Sequence, residues 1–81
     1  MGIPFKKRFM ENLQRDLKRS RTGKKQFGGR MYGLLPYNQT SDRKVAYARA
    51  KDYRDEGLRA RVEVVEGYSG KRYQVWVAIS K

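Results

Sequence analysis

Apolar positions recur every four residues near the start of the chain, at Phe5, Phe9, Leu13 and Leu17, with Met10 beside them. At about 100° per residue they fill one side of a helix, which predicts a helix over 4–19. Pro4 suits its first turn. Lys7, Arg8, Arg15, Lys18 and Arg19 fall on the other side, and Lys6 sits inside the apolar arc. A helix of this length is marginal alone in water, so the stripe needs a surface to pack on.

The pattern then breaks. Residues 20–29 hold Gly23, Gly28 and Gly29 among Arg21, Lys24 and Lys25, and read as a solvated linker whose Gly-Gly pair permits a turn. Gly23-Lys24 lacks the glycine spacing and the following Ser or Thr of a phosphate-cradling loop. Residues 30–37 read as a strand, with Pro36 placing its end at an edge or exit. Asn38, Gln39 and Thr40 read as a turn. Thr40, Ser41 or Asp42 can cap a helix to about Glu56, with Val45, Ala46, Ala50 and Tyr53 on one face. Gly57-Leu58 is a helix stop. Residues 60–66 form a strand with Val62 and Val64 on one face, and 67–70 a hairpin turn. Residues 72–80 are the strongest strand: Tyr73, Val75, Val77 and Ile79 alternate with Gln74, Trp76, Ala78 and Ser80.

These elements predict an α+β fold: a basic amphipathic helix (1–20), a basic Gly-containing linker (21–29) and a β-α-β-β unit (30–81), in all one domain. A right-handed crossover and a closing hairpin put the last strand in the middle of a three-stranded sheet, in order 1-3-2. The second helix then covers Val62, Val64, Val75, Val77 and Ile79. The opposite face shows Trp76, Gln74, Val65 and Arg61, and is the surface expected for the first helix, with Trp76 against Phe9 or Leu13.

The succession of a strand at Met31–Tyr37, a helix at Ala46–Gly57, a short strand at Ala60–Val65 and a Tyr-x-Val strand at Tyr73–Val77 resembles the first half of a SPOR-type peptidoglycan-binding repeat. The likeness covers about half of the chain, in element order rather than in a specific motif, and the repeat's second half and any export signal are missing. It implies a SPOR-like binding module.

Composition changes the picture next. Leu, Ile, Val and Phe make up 16 of 81 residues and the net charge is +12, close to the border with disordered chains. Ten aromatics, six of them Tyr, argue for a folded core. The charge is uneven: residues 1–30 hold ten basic residues against two acidic, net +8, and 31–81 hold ten against six, net +4. With no His and no Cys, thiol and imidazole nucleophiles, disulfides and the usual zinc ligands are absent. Asp52, Asp55 and Glu56 lie among Arg49, Lys51, Arg54 and Arg59, the pattern of helix-surface ion pairs. Nothing completes a catalytic set, so the expectation is a non-enzyme without cofactor or metal.

What remains is cationic. Lys6, Lys7, Arg8, Arg15, Lys18, Arg19, Arg21, Lys24, Lys25 and Arg30 are the candidate phosphate contacts of a protein that binds DNA or RNA, mainly through the backbone. The charge exceeds what solubility needs. Trp76, flanked by Gln74 and cations, is the candidate for stacking on an unpaired base. The plainer role is packing, under the first helix or against a second copy in a homodimer through the open face or an edge strand. The rival functions are a membrane-surface or protein-assembly module built on the amphipathic helix, and a virion or packaging component using the same cations. No run is long and apolar enough for a signal peptide or transmembrane segment, which sets the expected location as intracellular, cytoplasmic or nucleoid-associated, or in a virion, and not secreted.

Overall fold

The structure, a computed structural model, describes residues 3–20 and 23–79, and side chains from residue 11 onward. Helix α1 spans Ile3–Arg19. Strands β1 (Lys24–Phe27) and β2 (Arg30–Thr40) follow, then helix α2 (Arg43–Asp55) and strands β3 (Ala60–Gly67) and β4 (Gly70–Ala78). The fold is α+β, with one antiparallel sheet in the order β1-β2-β4-β3.

This corrects the three-stranded sheet in order 1-3-2. The sheet has four strands, and the extra one comes from residues 24–27, which read as linker. The Gly28-Gly29 pair is the reason. Both residues have positive φ, +55° and +80°, the geometry of the tight two-residue turn whose twist matches a hairpin. Phe27 therefore pairs with Arg30, and Lys24 with Gly33. Asn38, Gln39 and Thr40, expected as a turn, continue β2. Gln39 and Thr40 pair with Gln74 and Tyr73 after a register shift between Leu34 and Gln39. Pro36, which has no N–H to give a ladder, lies within that bulge.

Helix α2 begins at Asp42, whose carboxylate accepts from the Lys44 and Val45 N–H groups at 2.9 and 3.5 Å. It ends in a reciprocal pair of bonds: the Gly57 N–H to the Arg54 carbonyl at 2.9 Å, and the Leu58 N–H to the Tyr53 carbonyl at 3.0 Å. Gly57, at φ +89°, makes the left-handed turn and Leu58 folds back onto the core. The Arg54 guanidinium then donates to the Ala60 carbonyl at 3.1 and 2.8 Å, tying the helix end to the entry of β3.

Both helices pack on one face of the sheet. Ala46 and Ala50 of α2 and Leu13 and Leu17 of α1 join Leu35, Ala60, Val75 and Val77 in the main core. The expectation that α1 covers Trp76 is thus corrected: α1 lies on β2, beside α2 and on the other side of the sheet from Trp76. Gly33 makes this seat possible. A Cβ there would stand 3.1 Å from Leu17 Cδ2 and 3.2 Å from the Leu17 carbonyl oxygen. Gln14 adds a hydrogen bond to the Ala78 carbonyl at 3.2 Å. The one fully buried polar side chain among the described residues, Asn38, also faces the helices and donates to the Tyr53 hydroxyl at 3.1 Å. The side chains of Phe5, Phe9 and Met10 lie outside the described residues.

Candidate nucleic-acid interface

Once Leu13 and Leu17 are fixed against the sheet, the helical period turns Arg15, Lys18 and Arg19 outward, and all three are exposed. Arg15 is held along the helix by a 2.7 Å bond to Asn12 Oδ1. Lys18 and Arg19 occupy the last turn, where the helix dipole favours cations. The chain leaves α1 through Ser20, whose hydroxyl donates to the Leu34 carbonyl. Gly23 follows, its carbonyl accepting from the Leu34 N–H at 3.0 Å. These bonds lead directly into β1, so the hairpin follows the cationic end of α1 in the chain, with Lys24 on the helix face of the sheet and Lys25 and Arg30 on the other. The side chains of Lys6, Lys7 and Arg8, and the whole of Arg21, lie outside the described residues.

The face turned away from the helices is not bare. Pleating places Lys25, Phe27, Tyr32, Leu34, Arg61, Glu63, Gln74 and Trp76 on it together. Phe27 meets Tyr32 and Trp76 edge-on, with centroids 5.3 and 5.8 Å away, a favoured arrangement of ring quadrupoles. The Arg61 guanidinium lies 4.2 Å from the Phe27 centroid. Lys25 bonds Glu63 at 2.9 Å and stands 5.3 and 5.9 Å from the Phe27 and Trp76 rings. Trp76 keeps 6 % of its surface. Gly23 also lies against it: a Cβ there would be 3.4 Å from the indole Cη2. Trp76 therefore packs as expected of a core residue, but under β1 rather than under α1, and the more accessible aromatic of this face is Phe27. The indole Nε1 is buried and has no hydrogen-bond partner among the described residues.

Strand alternation puts Arg61 on the Trp76 face, as the structure has it, while Phe27 falls in the segment that reads as linker. The signal for Phe27 was in the sequence: a Gly-Gly pair between Lys-Lys-Gln-Phe and Arg-Met-Tyr is a hairpin signature. The charge of the flanking lysines masked it.

Elsewhere the titrating groups are ordinary surface features. Lys51 bonds Asp55 at 3.0 Å one helical turn on, and that carboxylate holds the lysine above its usual pKa. Tyr37 in the β2 bulge is raised above its usual value, first by partial burial, then by Tyr53 and Asp16, against an opposing effect of Arg49. The Arg49 guanidinium donates to the Tyr37 carbonyl. Among the described residues, no helix is long and apolar enough to cross a membrane. Comparison with protein families, with curated proteins and with solved structures finds no match to this chain.

Proposed function

We propose that the chain is a non-enzymatic nucleic-acid-binding protein that holds phosphates along the basic side formed by α1 and the β1–β2 hairpin. One observation carries this reading. Arg15, Lys18, Arg19, Lys24 and Arg30 are exposed, and among the described residues none of them meets a carboxylate within 4 Å. Of the eight acidic residues, Asp42, Asp52, Asp55 and Glu56 lie around α2 and Glu66 on β3, while Glu63 reaches Lys25 of the hairpin and Glu11 and Asp16 are on α1. Exposed cations free of carboxylates on α1 and the first hairpin of a chain with a +12 charge fit the electrostatic footprint of phosphate binding. The burial of Leu13 and Leu17 against the sheet removes half of the apolar stripe that a membrane-surface helix would use.

Titration of the full chain against duplex DNA, single-stranded DNA and structured RNA over a salt series tests the reading. Binding should weaken with salt, with a slope of about 0.9 per phosphate contact on duplex DNA. Absence of binding at low salt to all three polymers, or a flat salt dependence, would reject it. Binding to anionic vesicles alone would transfer the cations to the membrane-surface reading.

A further inference from the structure

The sheet has two outer strands, and they are unlike. β1 is four residues long and carries Lys24 and Lys25, a form that discourages strand addition. β3 runs eight residues in unbroken register with β4. It holds Val62, Val64 and Val65, with no proline and no bulge. An outer strand of that kind is a template for another strand.

The bonding pattern shows which groups of β3 are open. The Ala78 N–H bonds the Arg59 carbonyl at 2.9 Å, and Gly67 pairs with Gly70 across the turn. Bonded and non-bonded pairs alternate along an antiparallel ladder. Arg59, Arg61, Glu63 and Val65 therefore direct their N–H and C=O groups at β4, and Ala60, Val62, Val64 and Glu66 direct theirs outward. The Arg54 guanidinium agrees with this, because it reaches the outward Ala60 carbonyl from α2. Val64 and Val65 remain 50 % and 43 % exposed.

We infer that a second copy of the chain occupies this edge, its β3 antiparallel to the first about a two-fold axis through Val62. In that register Val62 faces the partner's Val62, and Val64 faces the partner's Ala60, on the helix side of the sheet. On the other side Arg61 stands opposite the partner's Glu63, and Glu63 opposite the partner's Arg61; to meet, each turns outward from its contact over the sheet, Arg61 from Phe27 and Glu63 from Lys25. Opposite charges directly across a ladder stabilise it. Neighbouring registers lack this match. Centring on Ala60, Arg61 or Glu63 sets like charges opposite each other, and centring on Val64 or Val65 sets a valine against Glu66. Arg54 donates twice to the Ala60 carbonyl, so its guanidinium gives up one of these bonds when the partner's Val64 N–H reaches that oxygen. The pairing makes one eight-stranded sheet with all helices on one face. It places the two α1–β1 sides at opposite ends, which separates the most strongly charged parts of two +12 chains. This dimer stands independently of nucleic-acid binding.

Sedimentation of the nuclease-treated full chain over a concentration series is the test, with hydrogen exchange on the same samples. The expected result is twice the chain mass of 9.6 kDa, with the Val62 and Val64 amides slowed as the dimer forms. Val64→Pro removes an outward N–H and no bond to β4, so it should give a folded chain of single mass. Arg61→Glu and Glu63→Arg should each shift the protein toward the monomer, and the two together should restore the dimer. The charge swap decides the matter even where the proline variant fails to fold. A single mass at every concentration, or a dimer that persists in folded Val64→Pro and in both charge variants, would overturn the inference.

Discussion

Gly33 is the residue on which the position of α1 turns. Its missing side chain leaves the space that Leu17 fills: a Cβ there would stand only 3.1–3.3 Å from three Leu17 atoms. Gly33→Ala should cost about 1–3 kcal/mol through overpacking, read by urea denaturation, and a value near zero would show that α1 is held by other contacts. Trp76→Ala removes the centre of the opposite cluster and should cost about 3–5 kcal/mol. Free Trp76 should emit at short wavelength, and emission typical of exposed indole would contradict its burial under Phe27. Alkaline pH acts at Tyr37. Because folding raises its pKa, folding resists loss of the hydroxyl proton. That stability is complete below the unfolded value of about 10 and is lost as pH rises through the folded value. Tyr37→Phe should flatten the fall in melting temperature above about pH 10 only slightly, because Tyr37 is 56 % exposed and solvent screens the effect. Burial of Trp76 was legible from its strand, but its cover was not, because Phe27 and Gly23 sit in a segment whose charge and glycines resemble a linker.

Among the elements, the two hairpins and α2 follow from local chemistry, and the seat of α1 does not. Thr40, Ser41 or Asp42 at one end and Gly57-Leu58 at the other mark α2 in sequence, and the structure places the cap at Asp42 and the reciprocal bonds at Gly57 and Leu58. Asp42→Ala should cost about 0.5–2 kcal/mol, measurable as a lower urea midpoint with an unchanged slope. The seat of α1 was misjudged because one helix was expected to fill one face. The alanines of α2 and the extra width from β1 leave room over β2 for a second helix on the same face. β1 is the weakest element by length, and it depends on two positive-φ glycines. Replacing both with alanine imposes a left-handed conformation at about 1–2 kcal/mol per residue. The expected result is red-shifted Trp76 emission as Phe27 leaves, with α2 and the β3–β4 hairpin retaining their exchange protection.

At the scale of the whole molecule, charge and apolar burial are segregated, and the segregation was partly visible as the excess of +8 in the first 30 residues. The sequence could not show that Lys24 and Lys25 lie on a strand paired with β2, because the charge and glycines of that segment concealed it. The proposed binding predicts an unequal response to neutralisation. Lys18→Gln or Lys24→Gln should each lower the salt slope by about 1, with nearly uniform weakening across sequences. Lys51→Gln, on α2 and paired with Asp55, should leave the slope unchanged. Equal effects from all three would show a diffuse charge effect without a defined surface.

Asn38 has a consequence for how the chain finds its alignment. β2 spends extra residues in its bulge between Leu34 and Gln39, so apolar contacts alone leave room for neighbouring alignments. Asn38 is 0 % exposed, and its amide meets the Tyr53 hydroxyl of α2. A slipped β2 would strand both polar groups in apolar surroundings, at about 1–3 kcal/mol for each unsatisfied group. The amide thus acts as a key that admits one setting of strand against helix. Asn38→Leu should retain a cooperative core while losing that selectivity, seen as doubled or broadened amide resonances along β2.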